Sequence, residues 1–130
     1  MNSLKNEEVF IENLLNAFPE IKDELLEEDN LGVVTLQIAC FKRFTQKTID
    51  SNDVITLKAC LKFVDENIDQ VERKIENALY ITYLGHLKFD TNKEAKKLLP
   101  TRLKSAIDDL ANYRNSNPRT DKLKSFLNGL

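Results

Sequence analysis

The stretch VVTLQIACFKRFTQKTID (residues 33–50), followed by SND (51–53) and VITLKACLKFVDEN (54–67), decides the fold. In its first part Val34, Ile38, Phe41, Phe44, Thr45 and Ile49 recur at helical spacing and share one face of an α-helix, while Lys42, Arg43, Gln46 and Lys47 take the opposite face. Val54, Leu57, Leu61, Val64 and Ile68 make a second stripe of the same kind. Ser51, Asn52 and Asp53 interrupt the pattern and supply caps, and so short a connection predicts an antiparallel helical hairpin.

The same reading extends in both directions. Toward the N-terminus, Ser3 is the expected cap of a first helix that buries Val9, Phe10, Leu14, Leu15 and Phe18. Pro19 suits the first turn of a short second helix with Ile21, Leu25 and Leu26 inward, and Asp29-Asn30-Leu31-Gly32 reads as a turn. Beyond the hairpin, residues 69–87 predict a fifth helix that becomes apolar on nearly every side from Leu79 to Leu87, the mark of a central helix. A short helix is expected over 91–99, and Pro100 opens another with Leu103, Ala106, Ile107, Leu110 and Tyr113 on one face. Residues 115–118 read as a linker. After it, Leu123, Phe126, Leu127 and Leu130 recur at helical spacing among Arg119, Lys122 and Lys124, and this tail (119–130) is expected to dock near the N-terminal helices. No stretch alternates as a strand does, so the expected class is all-α: a single domain over 1–130, a compact bundle of about six or seven helices built from antiparallel hairpins, with the fifth helix at its centre.

Composition supports one folded domain: 42% of the residues are hydrophobic, 31% are charged, and Gly and Pro number three each. The opening MNSLKNEEVFIENLL lacks a basic leader and no apolar run is long enough for a bilayer, so a cytoplasmic protein without membrane contact is expected. Cys40 and Cys60 each sit in an apolar helical pattern and are expected as buried free thiols. The net charge of −2 conceals an asymmetry, for residues 1–30 hold nine acids against two bases and residues 92–130 nine bases against four acids. Such polarity either draws the two ends together within the fold or marks a partner surface.

Chemistry is sparse. With one histidine, His86, the paired-histidine metal motifs and the nucleophilic triads that need both a histidine and a recognisable nucleophile are missing. Three glycines make no phosphate-binding loop, and no metal or cofactor is expected. The acidic total argues against a nucleic-acid partner despite the basic C-terminal third.

Phe18-Pro19-Glu20-Ile21-Lys22, opening a short acidic helix, and the run Ala78 to Leu87 followed by Lys96-Lys97-Leu98-Leu99-Pro100 resemble a family of small uncharacterised bacterial helical proteins. Some relatives of that kind look like immunity proteins of toxin–immunity systems. The resemblance implies a non-enzymatic protein-interaction domain, in its most concrete form one that neutralises a toxin domain. Charge, independently of that resemblance, makes Glu20, Asp23, Glu24, Glu27 and Glu28 the candidate partner-binding residues, an acidic patch able to cover a basic active site. The alternative is a small-molecule-binding or regulatory helical domain with an apolar pocket beside Tyr80, Tyr83 and His86.

Overall fold

The computed structural model describes residues 3–116, and these are all-helical, with one isolated β-bridge between Lys5 and Val71 in place of any strand. The order is α1 (Glu7–Ala17), a 3-10 turn (Pro19–Ile21), α2 (Lys22–Leu25), α3 (Val34–Asp50), α4 (Val54–Asn67) and α5 (Arg73–Ala78). A π turn (Leu79–Tyr83), a 3-10 turn (Leu84–His86), a 3-10 helix (Lys93–Leu98) and α6 (Thr101–Ser116) complete it.

The hairpin forms as its sequence dictates. Val34, Ile38, Phe41, Thr45 and Ile49 of α3 face Leu57, Cys60, Leu61 and Val64 of α4 in one core. Asp53 caps α4 by accepting the Thr56 N–H, and Asn52 closes the turn at φ 56°, a left-handed conformation that asparagine tolerates better than most residues. Gly32, at φ 78°, plays the corresponding part before α3. Val54 and Ile55 stand outside the stripe, Ile55 85% exposed.

Several expectations are corrected. Asn6, not Ser3, caps α1, its side chain accepting the Val9 N–H at 2.9 Å, and the face that packs inward carries Ile11 and leaves Val9 exposed. The fifth helix begins at Arg73 rather than Asp69. Residues 70–72 are held extended by Lys5, whose N–H donates to Gln70 O (2.8 Å), whose carbonyl accepts the Glu72 N–H (3.0 Å), and whose Nζ reaches Asn67 Oδ1 (2.9 Å). It is also not the hub. That role belongs to α3, which packs against α1, the first 3-10 turn, α2, α4, α5 and the π turn. Asn115 and Ser116, read as linker, continue α6, and the tail 119–130 lies outside the described residues.

Aromatic rings join these layers: Phe18 meets Phe41 at 5.2 Å, Phe63 approaches Phe10, Phe18 and Phe41 at 5.8 Å each, and Phe41 stacks on Tyr83 at 5.0 Å. Rings at such distances add attraction beyond their burial. Gln46, placed by pattern on the wet face of α3, grips the far end instead. Its amide donates to Lys88 O (2.8 Å) and accepts the Lys88 N–H (2.9 Å), while Asp50 next along that face accepts the Thr91 hydroxyl at 2.6 Å. The Thr91 and Gln46 hydrogen bonds hold the Asp50 carboxyl below its usual pKa.

Candidate functional site

Two surface features lie at the junction of α1 with the segment joining α2 to α3. The first is the acidic patch. Glu20 on the 3-10 turn, Asp23 and Glu24 on α2, and Glu27 and Glu28 in the following turn are all exposed. Glu24 alone of the five has a cationic partner among the described residues: Arg43 Nη2 donates to Glu24 Oε1 at 2.6 Å. Arg43 holds the Glu24 carboxyl below its ordinary pKa. The same guanidinium donates to Cys40 Sγ at 3.2 Å, and Asn30 Nδ2 does so at 3.4 Å, so Glu24 is tied into the α2–α3 packing.

The second feature is a groove of about 390 Å³ lined by Glu7, Glu8, Ile11, Glu12 and Leu15 of α1, by Leu26, Leu31 and Gly32, and by Gln37. Its floor is apolar and its rim acidic, and among the described residues no lysine or arginine lines it. Leu31 is 59% exposed and Leu26 36%, which is a costly way to place large aliphatic side chains unless something covers them. Gln37 fixes the wall from beneath, its buried side chain donating to Leu25 O at 3.1 Å. None of the five patch acids lines this groove. The sequence does carry a signal for it, since Glu8, Ile11, Glu12 and Leu15 share one face of α1, but the turn reading of residues 29–32 hid the role of Leu31.

Of the three residues expected beside an apolar pocket, each has a distinct setting in the structure. Tyr83 is wholly buried, its ring stacked on Phe41 and its hydroxyl 2.7 Å from Thr45 Oγ1. Since the Thr45 proton goes to Phe41 O (3.0 Å), Tyr83 is the donor of the shared bond, and desolvation pushes its pKa well up. Tyr80 is half-buried against the core, and His86 is exposed. His86 Nδ1 lies 3.0 Å from Ile81 O and 3.2 Å from Thr82 O, two acceptors that call for the Nδ1–H tautomer, so the ring caps the end of its own helix. A different groove, about 530 Å³, opens nearby between Thr35 and the residues Arg73, Lys74, Asn77, Ala78, Ile81 and Thr82. Lys74 is partly occupied by Glu7 at 3.1 Å.

Both cysteines are free and buried. Burial pushes the Cys60 thiol up to about 12, and desolvation with the nearby Glu24 charge raises Cys40, so neither is poised as a thiolate. Among the described residues no three His, Cys, Asp or Glu side chains group closely enough to hold a metal ion, and no helix is long and apolar enough to cross a membrane.

Helices packed around α3, with an acidic and apolar surface at one corner, define a small all-α domain. The chain belongs to the family described as a domain of unknown function, DUF7674, whose model matches residues 11–115. No curated protein and no solved structure matches the chain.

Proposed function

We propose that the chain is a non-enzymatic protein-interaction domain acting in the bacterial cytoplasm, with neutralisation of a toxin domain as its concrete form. The observation that carries this reading is the patch itself. Glu20, Asp23, Glu27 and Glu28 stand in solvent with no cationic partner among the described residues, beside the exposed Leu26 and Leu31. Unpaired acids next to exposed aliphatic groups give a partner both halves of a docking surface: charge to steer and orient it, apolar area to hold it. The sign selects a basic protein and repels phosphate backbones.

The test is growth rescue. Cells producing a toxin domain found encoded beside this gene should recover when the wild-type chain is co-expressed, and should not recover with a Glu20→Lys, Glu27→Lys, Glu28→Lys variant that melts like wild type; a neighbourhood that encodes no toxin counts against the proposal. Rescue by the reversed variant, or no complex between the purified proteins, overturns the proposal.

A second reading has an observation of its own. The groove lined by Thr35, Arg73, Lys74, Asn77 and Thr82 presents two cations, two hydroxyls and an amide beside a π turn, a combination suited to a small anionic ligand. Calorimetric titration with inorganic phosphate and citrate, repeated on Arg73→Gln, checks it; heats that are absent, or that survive the substitution, remove it.

A further inference from the structure

We infer that the groove between α1 and the α2–α3 turn receives an amphipathic helix of a partner protein, its apolar face on the groove floor and its lysines or arginines on the rim. The inference rests on the protein-interaction reading and extends it: the patch acids steer a basic partner, and the groove holds one element of that partner. Ile11, Leu15, Leu26 and Leu31 make the floor, and Glu7, Glu8 and Glu12 make the rim. Lys74 reaches Glu7 at 3.1 Å, whereas Glu8 and Glu12 have no cationic partner among the described residues. These two acids stand one helical turn apart on the same face of α1, where like charges repel. A cation supplied from outside relieves that repulsion as well as making a new ion pair.

The shape selects a helix. Glu8, Ile11, Glu12 and Leu15 line the groove at the three-and-four spacing of α1, and from Glu7 to Leu15 that helix rises about 12 Å, a wall just over two turns long. An amphipathic helix laid along such a wall sets apolar residues at intervals of three and four on the floor and charged ones at its margins. The groove is open at Gly32, where nothing lies within 4 Å of the place a Cβ would take. Val33 and Leu36, next in sequence to the lining residues Gly32 and Gln37, are exposed too, which is more apolar surface than a small ligand seated in the groove would cover. Sign selects the class of partner, since a negative rim repels the phosphates of nucleic acids and of anionic membranes. The grooves at Arg73 and Lys74 and at Lys88, Lys93 and Lys96 carry the opposite charge and would repel the same helix.

Titration of the full chain with a synthetic peptide tests this without any toxin. The probe is an amphipathic peptide of about fourteen residues built from leucine and lysine, long enough to be helical once docked. Two controls replace its lysines by glutamate or its leucines by serine. In heteronuclear NMR spectra the leucine–lysine peptide should shift the amides of residues 8–15 and 31–37, and each control should bind at least roughly tenfold more weakly. Glu8→Lys with Glu12→Lys should weaken the probe by roughly tenfold and let the glutamate peptide bind in its place, and Leu31→Ser should weaken it by roughly fivefold. All three side chains are exposed, so the variants should melt like wild type; where the double reversal does not, Glu12→Lys alone, beyond the first turn of α1, makes the same comparison. Equal binding of the serine control, shifts centred on Glu20, Asp23 and Glu28, or indifference to both substitutions overturns the inference. So does self-association of the chain that Leu31→Ser abolishes, since a second copy would then fill the groove. The two readings fail separately: growth rescue without peptide binding removes the groove as a helix site and leaves the patch, whereas peptide binding without rescue removes the toxin and supports the groove.

Discussion

α3 and the segment from Arg73 to His86 are the two most thoroughly buried stretches of this chain, yet one is a regular seventeen-residue helix and the other changes form twice. α3 carries a defined apolar stripe and polar residues that find partners across the fold, so every turn has a single orientation to satisfy. The later segment is apolar on nearly every side from Leu79 onward and there has no one face to present. There the neighbours choose the geometry. The Leu84 N–H reaches back to Leu79 O, five residues away, as well as to Tyr80 O, and the inserted residue turns the helix so that Leu79 and Tyr83 pack toward α3 while the Leu84–His86 turn meets α6. A stripe fixes both a helix and its rotation; uniform apolarity fixes burial and leaves the winding to packing.

The comparison breaks if the irregular segment contributes less than its burial indicates. Leu79→Ala, beneath α3, and Ile38→Ala, within it, should each cost about 2–5 kcal/mol in denaturant melts, because both side chains are fully buried in one cluster. A loss under about 1 kcal/mol for Leu79→Ala beside a full loss for Ile38→Ala would show the segment to be peripheral despite its burial. The next effect tests the bond that joins the two regions. Thr45→Val leaves the Tyr83 hydroxyl buried without its acceptor and should cost about 1–3 kcal/mol, whereas Tyr83→Phe removes the donor and leaves Thr45 its bond to Phe41 O, costing about 0.5–1.5 kcal/mol. Equal costs for the pair would mean that Tyr83 is not the donor.

The difference also explains what was legible in the sequence. The hairpin, its caps and most of the buried face of α3 followed from spacing alone, because stripe and turn chemistry are local. The start of α5 did not, since it depends on Lys5, which is more than sixty residues away in sequence and captures Gln70 and Glu72 by backbone hydrogen bonds. Gln46 and Arg43 read as solvated because helical periodicity sees their hydrophilicity and not the partners, Lys88 and Glu24, that the tertiary fold brings to them. At the candidate site the patch acids could be named as exposed charges. The groove beside them could not, because it arises where α1 meets a turn and Leu31 carries no periodic signal.

The smallest effect expected concerns the one patch acid that the fold has already claimed. Hydrogen bonding to Arg43 lowers the Glu24 pKa below the ordinary value of 4.5, so the native state favours the ionised carboxylate more than the unfolded chain does. The resulting stabilisation is present in full above about pH 4.5 and is lost as the pH falls through the lower native value. Its size is limited, because the Arg43 and Glu24 side chains are 53% and 44% exposed and water screens them; Glu24→Gln should cost less than about 1 kcal/mol at pH 7, and less still in high salt. Urea melts of wild type and Glu24→Gln from pH 7 to pH 3 should therefore converge toward the acid end. A gap that persists at pH 3 would place the cost in packing around Cys40 and Asn30 rather than in charge. The same variant separates structure from recognition within the patch: because the Glu24 charge faces Arg43, growth rescue should survive Glu24→Gln and fail on reversal of Glu20, Glu27 and Glu28. Loss of rescue by Glu24→Gln alone, with stability intact, would move the recognising charge onto α2 and off the turn that follows it.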